Sequence, residues 1–162
     1  GQGYILATPL QLAMAYSGLA NKGVIYQPQF IQPEDEKSFE PKKVAEIQLS
    51  DNKAWEKMEQ ALVDVISARN GTAHKVYDAN SVVIAGKTGT AQIKSILPGK
   101  EYDAIRENPA LRDHALFVGY GPVEDPKLVV AVIIENGESG SEVAAPIVKS
   151  AINFYTGGFD AE

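Results

Sequence analysis

The residues best able to do chemistry in this chain stand together as Gly86-Lys87-Thr88-Gly89-Thr90. Lys87 supplies a fixed cation, and Thr88 and Thr90 supply hydroxyl donors, a set suited to holding a carboxylate. The apolar run Val82-Val83-Ile84 leads directly into them, so a β-strand is predicted over residues 82–93. Glycines inside such a strand let a ligand or another backbone come close. Alternation sends Lys87 to one face and both threonines to the other. A ligand added along the strand's free edge can still use both sets.

The elements that must position this strand are legible around it. Thr8-Pro9-Leu10-Gln11 is a capping-box pattern with proline at the first helical position, and Asn21-Lys22-Gly23 is the matching stop. Many small residues between them predict close packing against a neighbour. Residues 24–31 read as a short strand interrupted by Pro28, and residues 32–53 as an exposed connection. Trp55, Met58, Leu62, Val65 and Ile66 fall at helical spacing, with Trp55 as a core anchor and Arg69-Asn70-Gly71 as the stop. Residues 94–113 form a long charged loop, either a lid beside the lysine strand or a solvated surface loop. Residues 115–121 and 127–135 make an antiparallel hairpin, its second strand apolar on both faces. Residues 138–141 read as a turn, and residues 144–155 as a closing helix with Pro146 in its first turn and Gly157-Gly158 as its stop. The predicted class is α+β: an antiparallel sheet covered by helices.

Composition narrows the functions. The 162 residues are 44% hydrophobic and 22% charged, as expected of one globular domain. A net charge of -6 argues against a nucleic-acid partner. With no cysteine and only two histidines, far apart, no metal site or cofactor is expected; His74 and His114 are assigned structural roles. No run reaches membrane-span length, and no segment reads as a signal peptide. The chain opens on Gly1, so targeting residues are expected outside it.

Taken alone, the lysine strand admits other readings. A phosphate loop would need glycine where Ser81 stands, and a helix where Ala91-Gln92-Ile93 continues a strand. A plain edge strand with a protective exposed lysine is the bland alternative. A third reading is the lysine-threonine-glycine motif of penicillin-recognising serine enzymes.

The wider sequence bears on that choice. Gly1-Gln2-Gly3-Tyr4 running into Thr8-Pro9-Leu10-Gln11-Leu12-Ala13, then Asn70-Gly71-Thr72-Ala73-His74-Lys75, Leu111-Arg112-Asp113-His114, Glu135-Asn136-Gly137 and Ala144-Ala145-Pro146 follow one another in order. Together they resemble the C-terminal part of the class B penicillin-binding proteins, above all the penicillin-binding protein 2 family of the bacterial elongation machinery. The resemblance implies an incomplete transpeptidase domain of the penicillin-binding and serine β-lactamase-like fold, spanning residues 1–162. It implies a peptidoglycan D,D-transpeptidase: a serine attacks a stem peptide ending in D-Ala-D-Ala, and the acyl group passes to an amine. β-Lactams would acylate the same serine. By the same resemblance Lys87 and Thr90 are catalytic, and Thr88, Gly89 and Thr90 bind substrate. The Thr90 N–H would share an oxyanion hole with that of the nucleophile.

The family also needs a Ser-x-x-Lys nucleophile and a Ser-x-Asn element upstream of all these blocks. Ser50-Asp51-Asn52-Lys53 matches both patterns literally. One serine cannot fill both roles, and Ser50 or Asp51 is better read as a helix cap. The expectation is therefore a chain that lacks the nucleophile, is inactive alone, and exposes the apolar edge of its last strand until the rest of its domain joins it. Arg106 and Arg112 would meet the anionic stem peptide or pair with surface charges. The resemblance implies a protein anchored at the inner membrane and facing the periplasm, partnered by a glycan polymerase and other elongation-complex proteins. A serine β-lactamase, a β-lactam sensor and a non-catalytic scaffold remain as alternative readings.

Overall fold

The computed structural model describes residues 5–31, 40–51, 53–93 and 108–157. The Gly1-to-Tyr4 block, Arg106, Asn52, Gly158 and most of the long charged loop lie outside the described residues. Helix α1 is Pro9–Ala20, and its capping box is reciprocal: Thr8 N–H donates to Gln11 Oε1 (2.8 Å) and Gln11 N–H to Thr8 Oγ1 (3.2 Å). Its stop uses Gly23 at φ 101°, a left-handed conformation natural to glycine. Helix α2 is Lys53–Ser67, and α3 is Ala145–Tyr155. Asp51 caps α2 by accepting from Lys53 N–H at 2.9 Å, while Ser50 is exposed on the bend before it.

Residues 32–53 and 138–141 differ most from expectation. Strand β1, Val24–Tyr26, pairs antiparallel with β2, Lys43–Glu46, inside the stretch read as an exposed connection. All four β2 residues are exposed, so the hydrophobic alternation that signals a strand is missing from Lys43-Val44-Ala45-Glu46. The second difference is at residues 138–141, where a π-helical turn, Gly140–Ala144, leads into α3.

The main sheet is antiparallel, in the order β3 (Ala85–Ala91), β4 (His114–Gly121), β5 (Leu128–Ile134). β3 begins three residues later than predicted. Ahead of it, the Val83 carbonyl accepts from Val123 N–H (3.0 Å) in the β4–β5 connection. Register assigns the faces, because directly opposed residues share one. Lys87 lies opposite Val118, itself opposite Ala131; Thr88 lies opposite Phe117, itself opposite Val132.

Helix α1 packs on the face carrying Ala85, Tyr120 and Val129, through Tyr16, Leu19 and Ala20. Helix α3 packs on the opposite face, with Val148 and Ile152 buried against Phe117 and Val130. Helix α2 places Leu62 in the first cluster and Ile66 in the second, beside the start of β3. Trp55 is only half buried; its ring closes over Gly23 instead of entering either cluster. Among the described residues β3 and β5 each pair with β4 alone, so both keep a free edge.

Candidate active site

The free edge of β3 brings the predicted residues together. Lys87 and Thr88 begin on opposite faces, as alternation requires, yet the long lysine side chain turns back around the edge. Its Nζ donates to the Thr88 carbonyl (3.0 Å) and to Thr88 Oγ1 (3.3 Å). Thr88 Oγ1 is also 3.0 Å from Thr72 Oγ1, so ammonium and two hydroxyls form one hydrogen-bonded chain. Thr90 shares the Thr88 face, opposite Ala115, and Gly89 lies between them opposite Leu116.

Thr72 belongs to the turn that leads into a 3₁₀ segment, His74–Val76, which buries Ala73 and is held to α2 by the Ala73 N–H on the Val65 carbonyl (2.9 Å). His74 Nδ1 contacts the Ile66 carbonyl (3.1 Å), and its ring stacks on Tyr77. His114 Nδ1 accepts the Asn136 N–H (3.0 Å). Both histidines are tied into the backbone framework. Among the described residues there is no cluster of three or more metal-ligating side chains.

The π-helical turn presses against the back of the strand. A Cβ on Gly140 would sit 2.2 Å from the Leu116 carbonyl oxygen and 3.0 Å from that of Gly89, so only glycine fits. Gly86 is closed for a related reason: Phe117 lays its ring across the Gly86–Gly119 pair, 2.6 Å from where a Gly86 Cβ would stand. The strand is thus held from below by a ring and at its far end by a backbone turn.

Charge around the edge is one-sided. Lys75 Nζ donates to Glu142 Oε1 at 2.5 Å, joining the 3₁₀ segment to the π-helical turn. This hydrogen bond, and then the lysine's charge, hold the Glu142 carboxyl below its ordinary range. Lys87, by contrast, has no carboxylate within ion-pair distance among the described residues. An exposed ammonium with no carboxylate partner among the described residues, next to two hydroxyls on a strand edge, has the chemistry to receive an anion.

Arg112 lies 3.7 Å from Glu138, the surface pairing foreseen as one of its two roles. Sequence reasoning missed Thr72 and the Lys75–Glu142 bridge. Thr72 and Lys75 stood in the block 70–75, but their partners come from 16 and 67 residues away.

Residues 1–153 match the penicillin binding protein transpeptidase domain. The chain is 36% identical over 159 residues to the peptidoglycan D,D-transpeptidase MrdA of Haemophilus influenzae, covering 96% of this chain and 24% of that protein. Among solved structures it is similar to Pseudomonas aeruginosa PBP2 in complex with WCK 5153 (TM-score 0.72, 40% identity, 96% of this chain and 32% of that one). It is also similar to Helicobacter pylori PBP2 in complex with MreC (TM-score 0.72, 26% identity, 98% and 27%). The chain therefore spans about a quarter of the length of the curated relatives it matches. No helix among the described residues is long and apolar enough to cross a membrane. A domain match along nearly the whole chain, with relatives of the same name at this identity, means that the chain belongs to the penicillin-binding protein transpeptidase family, in its penicillin-binding protein 2 group.

Proposed function

We propose that this chain is the C-terminal part of a peptidoglycan D,D-transpeptidase domain and supplies the carboxylate-binding strand of its active site. The observation that carries this reading is the Lys87 ammonium, without a carboxylate partner among the described residues, joined to the Thr88 and Thr72 hydroxyls on the free edge of β3. The donor peptide lies along that edge, with its terminal carboxylate on the hydroxyls of Thr88 and Thr90. Gly89 between them keeps the approach open. Lys87 holds negative charge in the groove and orients the Thr88 hydroxyl.

The chemistry is acyl transfer by a serine from outside this chain. Its oxygen attacks the carbonyl carbon of the penultimate D-alanine, and the tetrahedral oxyanion is received by backbone N–H groups, that of Thr90 among them. The C–N bond breaks and D-alanine leaves with the serine's proton. An amine of a second stem peptide then attacks the ester and releases the serine. β-Lactams present a carboxylate and a strained amide to the same groups and stop at the ester. The complete protein works at the periplasmic face of the inner membrane, with elongation-complex proteins such as MreC and a glycan polymerase as partners; the Helicobacter pylori relative in complex with MreC supports that reading.

The test is acylation of the complete protein by a fluorescent penicillin, read by intact mass and peptide mapping. One adduct is expected, on a serine upstream of residue 1. Lys87→Met should slow its formation by about 10²-fold or more, as expected when a group that stabilises developing charge is removed. An adduct on Ser50, or an acylation rate indifferent to Lys87, would overturn the proposal.

A further inference from the structure

The sheet face that carries Thr88 and Thr90 also carries a pocket of about 210 Å³, at the start of β3. Phe117 forms its floor, and Ile66 of α2, Val82 and Ile84 of the lead into β3, and Ala145 of α3 form its walls. Tyr77 stands at the mouth, half exposed and braced by its stack on His74. Two charged side chains line it, Lys149 and Asp78, with Nζ and Oδ2 3.4 Å apart. All these walls come from elements of this chain.

Size and charge define what it would hold. A cavity of about 150 Å³ holds benzene, whereas pockets for drug-sized molecules start near 300 Å³. The volume here falls between, which suits one or two fused rings. The Asp78–Lys149 pair decides the head group. Asp78 also accepts the Asn80 N–H (2.9 Å), and its side chain is 44% exposed, so it stays solvated if the lysine turns away. Lys149 is 23% exposed and, among the described residues, has Asp78 as its one hydrogen-bond partner. A ligand anion can therefore take Lys149 at little cost, whereas a ligand cation would take Asp78 and strand the more buried charge.

We propose that this pocket binds a compact aromatic monocarboxylate, with its ring on Phe117 between Ile66 and Ile84 and its carboxylate on Lys149, and that occupancy is transmitted to β3. The transmission is steric. Phe117 lies opposite Thr88 in the ladder, and its ring fills the notch at Gly86, one residue before Lys87. A ring seated against Phe117 bears on that contact, and close-packed interiors transmit such displacement.

The experiment titrates naphthoate into the complete protein by calorimetry, with hydrogen-exchange mass spectrometry of the peptide containing residues 85–91. Neither readout depends on acylation, so the result stands whatever becomes of the transpeptidase reading. Saturable binding with Kd about 1 mM or tighter is expected for a ligand of this size. Lys149→Gln should weaken naphthoate about 5-fold or more, and leave the neutral naphthylmethanol unchanged. Ser67→Phe, which fills the pocket from α2, should abolish binding of both; if that variant does not fold, Lys149→Gln still decides the question. Exchange in the β3 peptide should change on binding. Absence of saturable binding, or equal affinity for the wild type and Lys149→Gln, would overturn the site. Binding without any change in the β3 peptide would overturn the transmission.

Discussion

Thr72→Val on the complete protein is the most discriminating perturbation of the candidate site. Valine keeps the shape of threonine and removes only the hydroxyl that stands 3.0 Å from Thr88 Oγ1. In the free strand the Thr88 hydroxyl accepts a hydrogen bond from the Lys87 ammonium and shares another with the Thr72 hydroxyl. Once a carboxylate binds, Thr88 must donate to it, and Thr72 can then donate to Thr88 in turn. On the proposed function, Thr72 would therefore strengthen the Thr88–carboxylate bond without touching the ligand. One neutral hydrogen bond contributes about 0.5–1.5 kcal/mol net, which is about 2- to 13-fold in a rate constant. The assay is stopped-flow acylation by a fluorescent penicillin, giving the second-order rate constant. Thr72→Val should lower it within that range, and Thr72→Ser should restore it to within about 2-fold. Thr88→Val removes a bond to a charged group and should cost more, about 13- to 160-fold. Because Thr72 acts through Thr88, the double variant should be no slower than Thr88→Val alone. Thr72 is exposed, so thermal stability should stay within about 0.5 kcal/mol of wild type. Additive losses in the double variant, or failure of serine to rescue, would refute the reasoning.

Three further outcomes follow from packing and charge. Gly140→Ala should destabilise more than Gly86→Ala in denaturant titration, because its Cβ meets the Leu116 carbonyl oxygen at 2.2 Å, whereas that of Gly86 meets the Phe117 ring at 2.6 Å and the Val118 carbonyl oxygen only at 2.8 Å; overpacking against a ring costs about 1–3 kcal/mol. The Glu142 carboxyl is held below its ordinary value of 4.5, so the bridge to Lys75 favours the folded state above that value and is lost as pH falls through the depressed one; Glu142→Gln should flatten stability against pH in that acid window, lowering stability slightly at neutral pH and leaving it unchanged at strongly acid pH. Burial, and then the charge of Glu59, push Tyr120 up to about 12, so ultraviolet titration of the folded protein should show a tyrosine that stays protonated well past 10, and Tyr120→Phe should remove that late step.

Much of this was readable from sequence because it is local. The Thr8–Gln11 capping box spans three residues, and the lysine strand announces itself through a β-branched lead and small residues. The order of the main elements followed from periodicity and glycine stops. β2 was not readable, because all its residues face solvent and no alternation marks it. The Thr72–Thr88 contact and the Lys75–Glu142 bridge join distant segments through tertiary packing, and polar residues at turns give no sign of their partners. The π-helical turn was hidden for another reason: Gly140 looks like any turn glycine until the Leu116 carbonyl is seen against it.

The ring of Phe117 across Gly86 and Gly119 also constrains how this protein can vary under selection. Around the lysine strand, positions 86, 119 and 140 have no room for even one added carbon without displacing a ring or a backbone oxygen. Thr72, Lys75 and Glu142, by contrast, are exposed and have room for other side chains. A population challenged by an inhibitor that occupies the strand edge is thus denied the direct route, that of reshaping the strand from beneath. Tolerated changes concentrate in the polar ring around it, where each substitution alters the hold on Thr88 or the position of the turns by a small step. Changes in the shape of the strand edge must therefore enter through the turns that flank it, because the fold has closed the glycines beneath it.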